Sequence, residues 1–580
     1  MSDSEVVCAL VFLALIAHEI FKRVETYSIG AHAALLLGPP ALASPLLVHS
    51  GHHILRSIFN TYTTYLGALA AFTILYRTSP FHPLAQHPGP LGCRISQWWM
   101  ACVSWSGREH LYINELHCKY GDVVRIGPNE LSIRDASAVG PIMNIAKGPQ
   151  YVGRMLSDGV QLPLIGIQDP AKHSRRRRPW NRAFSAPALR GYEKTIARRA
   201  QQLLEALERC TEAQEKVVLG KWFNYFAYDF MCDMAFGGGS ELLREGDANN
   251  VWRILDEGMK VGTLLAHVPW LGVYLSHVPL ATGALNVLIA HCRKLTIQRI
   301  ERGATRKDLF HYLNDEDISD SGSIEKPPPR ASEPALRQLT DDGCLVVVAG
   351  ADTTSSALSS LFYCLLTNPE TYKRLQAEVD RFYPTGARED SDVFNTKDHR
   401  DMHWLNAVIY ETLRLFPPVP GGSQRQVPRE SGVGVIAGKT YIPPGTAVWA
   451  HTWSIHRDPR NFTKPDAFWP ERWLLGSTTL PSSTTPTSTS DSEAAESDSL
   501  QDSKFVHKED AWMPFAHGPM NCVGKNLALL EIRMVVCALM QRFEMRLLEG
   551  WDAGEYERNF RAYLVATRPV VPVRLMLRSV

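Results

Sequence analysis

The chain has 580 residues, 45% of them hydrophobic and 21% charged, which are globular proportions in a length beyond one average domain. A formal net charge of +1 excludes the broadly basic surface that a nucleic-acid partner requires. The 11 cysteines are scattered and none forms a CxxC pair, which excludes a zinc ribbon or dithiol redox site and indicates reduced thiols in a cytosolic domain.

Three apolar stretches open the chain: Val6–Ala17, Ile29–Val48 and Ile58–Tyr76. Only the second reaches the roughly 20 residues that comfortably cross a bilayer, and Pro39 and Pro40 are expected to kink it. Asp3 and Glu5 precede the first stretch without any Lys or Arg, the wrong charge for a cleaved signal peptide; amphipathic helices lying in the membrane interface are the other reading. If all three cross, Lys22, Arg23 and Arg77 share one side, and the positive-inside rule makes that side cytosolic. Arg56, in the opposite loop, runs against that bias. Residues 1–78 are therefore read as a membrane anchor of up to three hydrophobic helices. The proline-rich stretch 79–92 is read as a stiff tether, and 93–580 as the catalytic domain.

Asp122–Ile133 is rich in Val and Ile around a Gly-Pro-Asn turn and predicts a hairpin. Ile196–Leu207, Trp222–Phe236 and Ala335–Thr367 carry helical periodicity, and Gly434–His451 returns to short strands. The fold class is mainly α with a small β region. Two stretches, 314–334 and 476–503, are acidic and proline-rich or dominated by Ser and Thr, and are expected to be disordered insertions.

The chemistry concentrates near the C-terminus, in "FAHGPMNCVG". Gly518 and Gly524 frame Cys522 and allow close backbone approach. An amphipathic helix is predicted from Lys525, and a thiolate at a helix N-terminus is stabilised by free N–H groups and the dipole. Phe515 is placed to pack on a flat ligand. Such a loop presents a thiolate as an axial metal ligand.

This loop resembles the haem-binding loop of the cytochrome P-450 superfamily, Phe-x-x-Gly-x-Arg-x-Cys-x-Gly, with Met520 where the family carries Arg. Further signatures follow the family's order. "YETLRLFPP" sets Glu411 and Arg414 on one helix face, and "FWPERW" supplies Arg472 to complete a structural Glu–Arg–Arg triad. "AGADTTSS" resembles the oxygen-binding groove, in which Gly350 makes room beside the haem, Asp352 supplies protons and Thr353 hydrogen-bonds dioxygen. "HSRRRRPWNRAFS" places His173 and Arg177 where the family's propionate-binding Trp and Arg stand, and Arg425 falls at another propionate position. Loss of the arginine at Met520 is expected to be covered by Arg177 and Arg425, with help from His517.

The resemblance implies the cytochrome P-450 fold behind N-terminal membrane helices, with haem b as cofactor and Cys522 as axial iron ligand. It implies a monooxygenase that inserts one oxygen atom from O2 into a lipophilic substrate, terpenoid or aromatic by analogy with fungal secondary metabolism. No flavin or nicotinamide domain is recognisable, so NADPH-derived electrons are expected from NADPH–cytochrome P-450 reductase, with cytochrome b5 as an optional second donor, at the cytosolic face of the endoplasmic reticulum. Lys525 and Arg533 are candidates for steering that partner. Substrate-lining candidates are Gly153–Ile167, Val261–Val278 and Pro418–Gly422. The alternatives are a haem-thiolate isomerase or peroxygenase that needs no reductase, and a non-catalytic haem or membrane protein. Asn461–Thr463 is a glycosylation sequon that a cytosolic domain leaves unused.

Overall fold

The computed structural model describes residues 2–578 except 25, 50–51, 155–161, 249, 304–306, 315–332, 385–392 and 479–504. The two insertions expected at 314–334 and 476–503 lie almost wholly outside the described residues, as does the centre of Gly153–Ile167.

The apolar N-terminus forms three helices, α1 (Asp3–Arg23), α2 (Ile29–His49) and α3 (Ile54–Thr78), each long and apolar enough to cross a membrane. The first is longer than its apolar core suggested, because Ser2 and Glu5 form a capping box that starts it and the mixed segment His18–Arg23 continues it. Val6, Leu10 and Ala14 pack with Ala43, Leu47, Tyr65 and Leu69 between the three helices. Lys22 lies over the Tyr76 ring, and His52 meets Asp3 at 2.7 Å. The C-termini of α1 and α3 therefore share one end and the α2–α3 loop takes the other. Arg429 donates to the Lys22 carbonyl at 2.9 Å and Arg77 to that of Ile95 at 2.6 Å, so the basic end is the one docked on the main domain.

Residues 79–92 are not the extended tether expected. Ser79–His87 runs through consecutive turns, and Leu84 enters a core cluster with Leu131, Ile133 and Val448. The Arg125 amide donates to the Pro88 carbonyl at 2.7 Å, and the buried Arg125 guanidinium bonds the carbonyls of Arg77 and Pro128. Burial of one leucine and satisfaction of one arginine outweigh the extended preference of the prolines.

The main domain is largely helical. Its largest core cluster joins Ala186–Glu212, Leu219–Phe236, Glu333–Thr367, His403–Leu415 and Lys525–Arg542. Glu333–Thr367, the long helix, is apolar enough to cross a membrane, but 72% of its apolar window is buried inside the protein, which makes it a core element. The predicted hairpin exists as Val123–Gly127 paired antiparallel with Glu130–Ile133. Ala447–Ala450 joins it in parallel, and Gln424–Gln426 adds antiparallel at the far edge. A second sheet orders Val217–Val218, Pro572–Leu577 and Phe543–Leu547.

Candidate functional site

The cysteine loop is built by unusual backbone. Ala516 and Gly518 have φ of 55° and 74°, and the Cys522 amide donates to the Phe515 carbonyl at 2.9 Å. A Cβ on Gly518 would meet the Met143 carbonyl oxygen at 2.8 Å, so glycine is required twice, for its dihedral and for its neighbour. Gly524 caps the helix Lys525–Arg542, and the N–H groups of Gly524 and Lys525 point at Cys522 Sγ. Burial raises the free thiol's pKa, against the pull of those two donors and of Arg177. Cys522 lies deep in the fold yet keeps an open face.

The long helix contributes a second open face. Ala349 is exposed, and Val348, Gly350 and Thr353 around it are half-buried. Thr353 Oγ1 donates to the Ala349 carbonyl at 2.8 Å, the intrahelical bond expected of a mid-helix threonine. A Cβ on Gly350 would overlap Met231 of Leu219–Phe236, so this glycine admits close packing of the two helices. Asp352 also turns away from Thr353, as neighbours about 100° apart on a helix must. Its carboxylate is paired with Arg568, whose other amino group bonds Asp256 at 2.7 Å. Burial raises the Asp352 pKa while Arg568 pulls it back. Sequence reasoning missed Arg568, because nothing local marks a residue 216 positions away as the partner.

The run of arginines on Pro170–Ala183 divides by helix face. Lys172, Arg175, Arg178 and Arg182 are exposed, whereas Arg176 pairs with Asp342 at 2.5 Å. Arg177 reaches the cysteine loop, donating to the Asn521 carbonyl at 2.8 Å and to Asn521 Oδ1 at 3.1 Å. His173, one turn earlier, is buried. Arg425 is fully buried with Nη1 3.3 Å from Met520 Sδ, and its Nε has no partner. His517 does not join this group; it sits beside Lys525 and Asp510, with Trp512 and Asp510 backbone as its partners. Arg533, expected at a docking surface, instead donates to Asn406 at 2.8 Å and has its pKa lowered by burial. Lys525 remains exposed.

Glu411, Arg414 and Arg472 meet with no exposed surface. Arg414 grips both Glu411 oxygens at 3.0 and 2.8 Å, Arg472 reaches Oε1 at 3.1 Å, and the Trp469 amide and Trp473 indole supply two more bonds. The carbonyls of His456, Pro465, Ala467, Thr463 and Lys464 take the remaining guanidinium donors. Burial alone would raise the Glu411 carboxyl; the two arginines outweigh it and hold it below its usual value.

Two of the three substrate-lining candidates, Val261–Val278 and Pro418–Gly422, meet the hairpin Ala562–Tyr563/Val565–Ala566. Pro418 accepts from the Ala566 amide at 2.8 Å, and Gly262 faces Leu564, which has a positive φ of 64° at the hairpin tip. The apolar stretch Val261–Val278 breaks at Val268 into Val251–His267 and Pro269–Leu275. The second piece touches the anchor through Tyr274 and His32 of α2, and Trp98 through Trp270.

The residues suit a haem on two counts. A thiol facing helix N–H groups matches an axial iron ligand, and an orphaned buried guanidinium nitrogen among cations matches a dianionic edge. Comparison with known proteins agrees. The cytochrome P-450 family profile matches residues 90–569, and the chain belongs to that family. It is 32% identical over 510 residues (86% of this chain, 83% of the relative) to cytochrome P-450 monooxygenase FCK2 of Fusarium pseudograminearum. It is 30% identical over 532 residues (90% and 86%) to tryprostatin B 6-hydroxylase of Aspergillus fumigatus. Cytochrome P-450 67 of Uromyces fabae is 31% identical over 574 residues, 96% of each chain. The protein is thus a haem-dependent monooxygenase of the cytochrome P-450 family.

Proposed function

We propose that the protein hydroxylates a lipophilic, ring-bearing natural product at the cytosolic face of the endoplasmic reticulum, using electrons from NADPH–cytochrome P-450 reductase. The observation that carries this reading is Cys522 Sγ, held toward the N–H groups of Gly524 and Lys525 with Arg177 beside it. When bound, haem supplies a thiolate-ligated iron at which dioxygen is activated. The chain's own residues do the rest. Cys522 gives the ligand, and the loop carbonyls and amides hold it in register. Thr353 has a hydroxyl to offer the open face by exchanging its bond to Ala349. Asp352 moves protons only after parting from Arg568, so its delivery is gated by an ion pair.

The substrate class rests on relatives, among them a hydroxylase of tryprostatin B, and on Trp98, Trp270 and Tyr274 lying between the anchor and the helix Val251–His267. Lipophilic molecules dissolved in the bilayer meet that aromatic wall first. The exposed face Lys172, Arg175, Arg178 and Arg182 is complementary to an acidic electron donor, with cytochrome b5 as the optional second one. Lys22, Arg23 and Arg77 share the domain's side of the anchor, which favours a cytosolic domain.

The test is a reduced, CO-bound difference spectrum of membranes carrying the protein, with Cys522→Ala as control. The red-shifted Soret band of a thiolate haem is expected only in the native protein. Product analysis with NADPH and reductase, against peroxide alone, then separates the monooxygenase from a peroxygenase or isomerase; turnover unaffected by Cys522→Ala overturns the reading.

A further inference from the structure

Lys147 is buried, and among the described residues its ammonium donates to the carbonyls of Leu164 and Ile165, at 3.2 and 2.9 Å. It forms an isolated antiparallel bridge with Arg425. Residues opposite each other in an antiparallel pair project to the same side with Cβ atoms about 5 Å apart, and like charges so placed repel. Arg425 reaches Met520 of the cysteine loop, so Lys147 projects to that side as well. Arg177 and the buried His173 complete the group. Among the described residues no carboxylate bonds any of the four: Arg177 is held by Asn181 and Asn521, Arg425 by two methionine sulfurs. Burial, with Arg425, Arg154 and Arg177 adding to it, pushes the Lys147 amine down to about 6. Basic groups gathered in the interior without a counter-ion are costly to charge unless an anion completes them.

We infer that Lys147 is a haem-propionate ligand, replacing the cation that the cysteine loop lacks at Met520. This rests on the haem-thiolate reading above and adds to it a residue outside the positions read from the family resemblance. Met520 then has a part of its own: its thioether seats the Arg425 guanidinium at 3.3 Å. The cation has moved from the loop to the sheet edge.

The experiment uses the purified full-length holoprotein and follows transfer of haem to an excess of a haem-scavenging apoprotein. Lys147→Gln keeps an N–H donor for the two carbonyls and drops the charge; Lys147→Arg keeps the charge. Lys147→Gln is expected to release haem about tenfold faster, a change equivalent to about 1.4 kcal/mol. Lys147→Arg is expected to stay within about twofold, and adding Met520→Arg to Lys147→Gln to recover most of the loss. Haem release from Lys147→Gln at the native rate overturns the inference, and so does a loss that neither Lys147→Arg nor the second-site arginine corrects. A native protein with no thiolate-haem band would instead refute the haem reading itself.

Discussion

Replacing Arg568 by Met removes the shared partner of two carboxylates in very different surroundings. The Asp256 side chain is 57% exposed, so losing its pair costs at most about 1 kcal/mol. The Asp352 side chain is 7% exposed, and stripping one partner from such a buried pair costs about 3–5 kcal/mol while the other stays charged. Asp352 can escape by taking up a proton, which costs about 1.4 kcal/mol for each pH unit above the ordinary carboxyl pKa of about 3.9. Protonation therefore limits the loss to about 1.5 kcal/mol at pH 5, whereas at pH 8 the full 3–5 kcal/mol applies. The sign follows from linkage. The Asp352 pKa is already raised in the folded protein by burial, with Arg568 opposing, and removing Arg568 raises it further. A folded state that holds the proton more tightly than the unfolded chain loses stability as pH rises above the unfolded pKa. Urea unfolding of the solubilised holoprotein at pH 5 and pH 8 measures this. The gap between native and Arg568→Met should widen with pH, and Arg568→Met with Asp352→Asn should close most of it. An equal loss at both pH values, or no recovery in the double variant, refutes the ion-pair account.

Arg472→Met should cost about 3–5 kcal/mol, because Glu411 stays buried and the carbonyls of Thr463 and Lys464 lose their donors; a midpoint shift in urea reads it, and a loss below about 1 kcal/mol contradicts a bracing role. Gly350→Ala should cost about 1–3 kcal/mol through overlap with Met231. Met231→Ala should relieve it; a changed CO-bound spectrum without that relief would place the cost on the haem side instead. Asn461 should carry no glycan in intact-mass measurement, because its side chain is 3% exposed and its Nδ2 donates to the Ile455 carbonyl at 3.0 Å. Burial alone explains that absence, so a bare Asn461 no longer reports membrane orientation.

Much of the site was legible because it is local. Cys522, its framing glycines and the helix that follows lie within one short stretch, and Glu411 and Arg414 share a helix face by spacing alone. The place of Arg177 was legible from its motif, but the pairing of Arg176 with Asp342 and the outward turn of its neighbours depended on how the helix is seated. His517 and Arg533 looked as suitable as their neighbours in sequence, yet packing sent one toward Asp510 and tied the other to Asn406.

The sequence by itself determined the order of the motifs, the three apolar N-terminal helices and the place of Cys522 between its glycines, since periodicity and short spacing set which residues share a face. Only the tertiary structure decided which partners those faces meet. Lys147 joins Arg425 across 278 positions, and Asp352 meets Arg568 rather than the open groove. Gly350 admits a neighbouring helix, and the proline-rich stretch after the anchor folds onto Arg125. Each of these depends on burial and charge neutralisation between distant segments, and no local pattern of residue types encodes such a pairing.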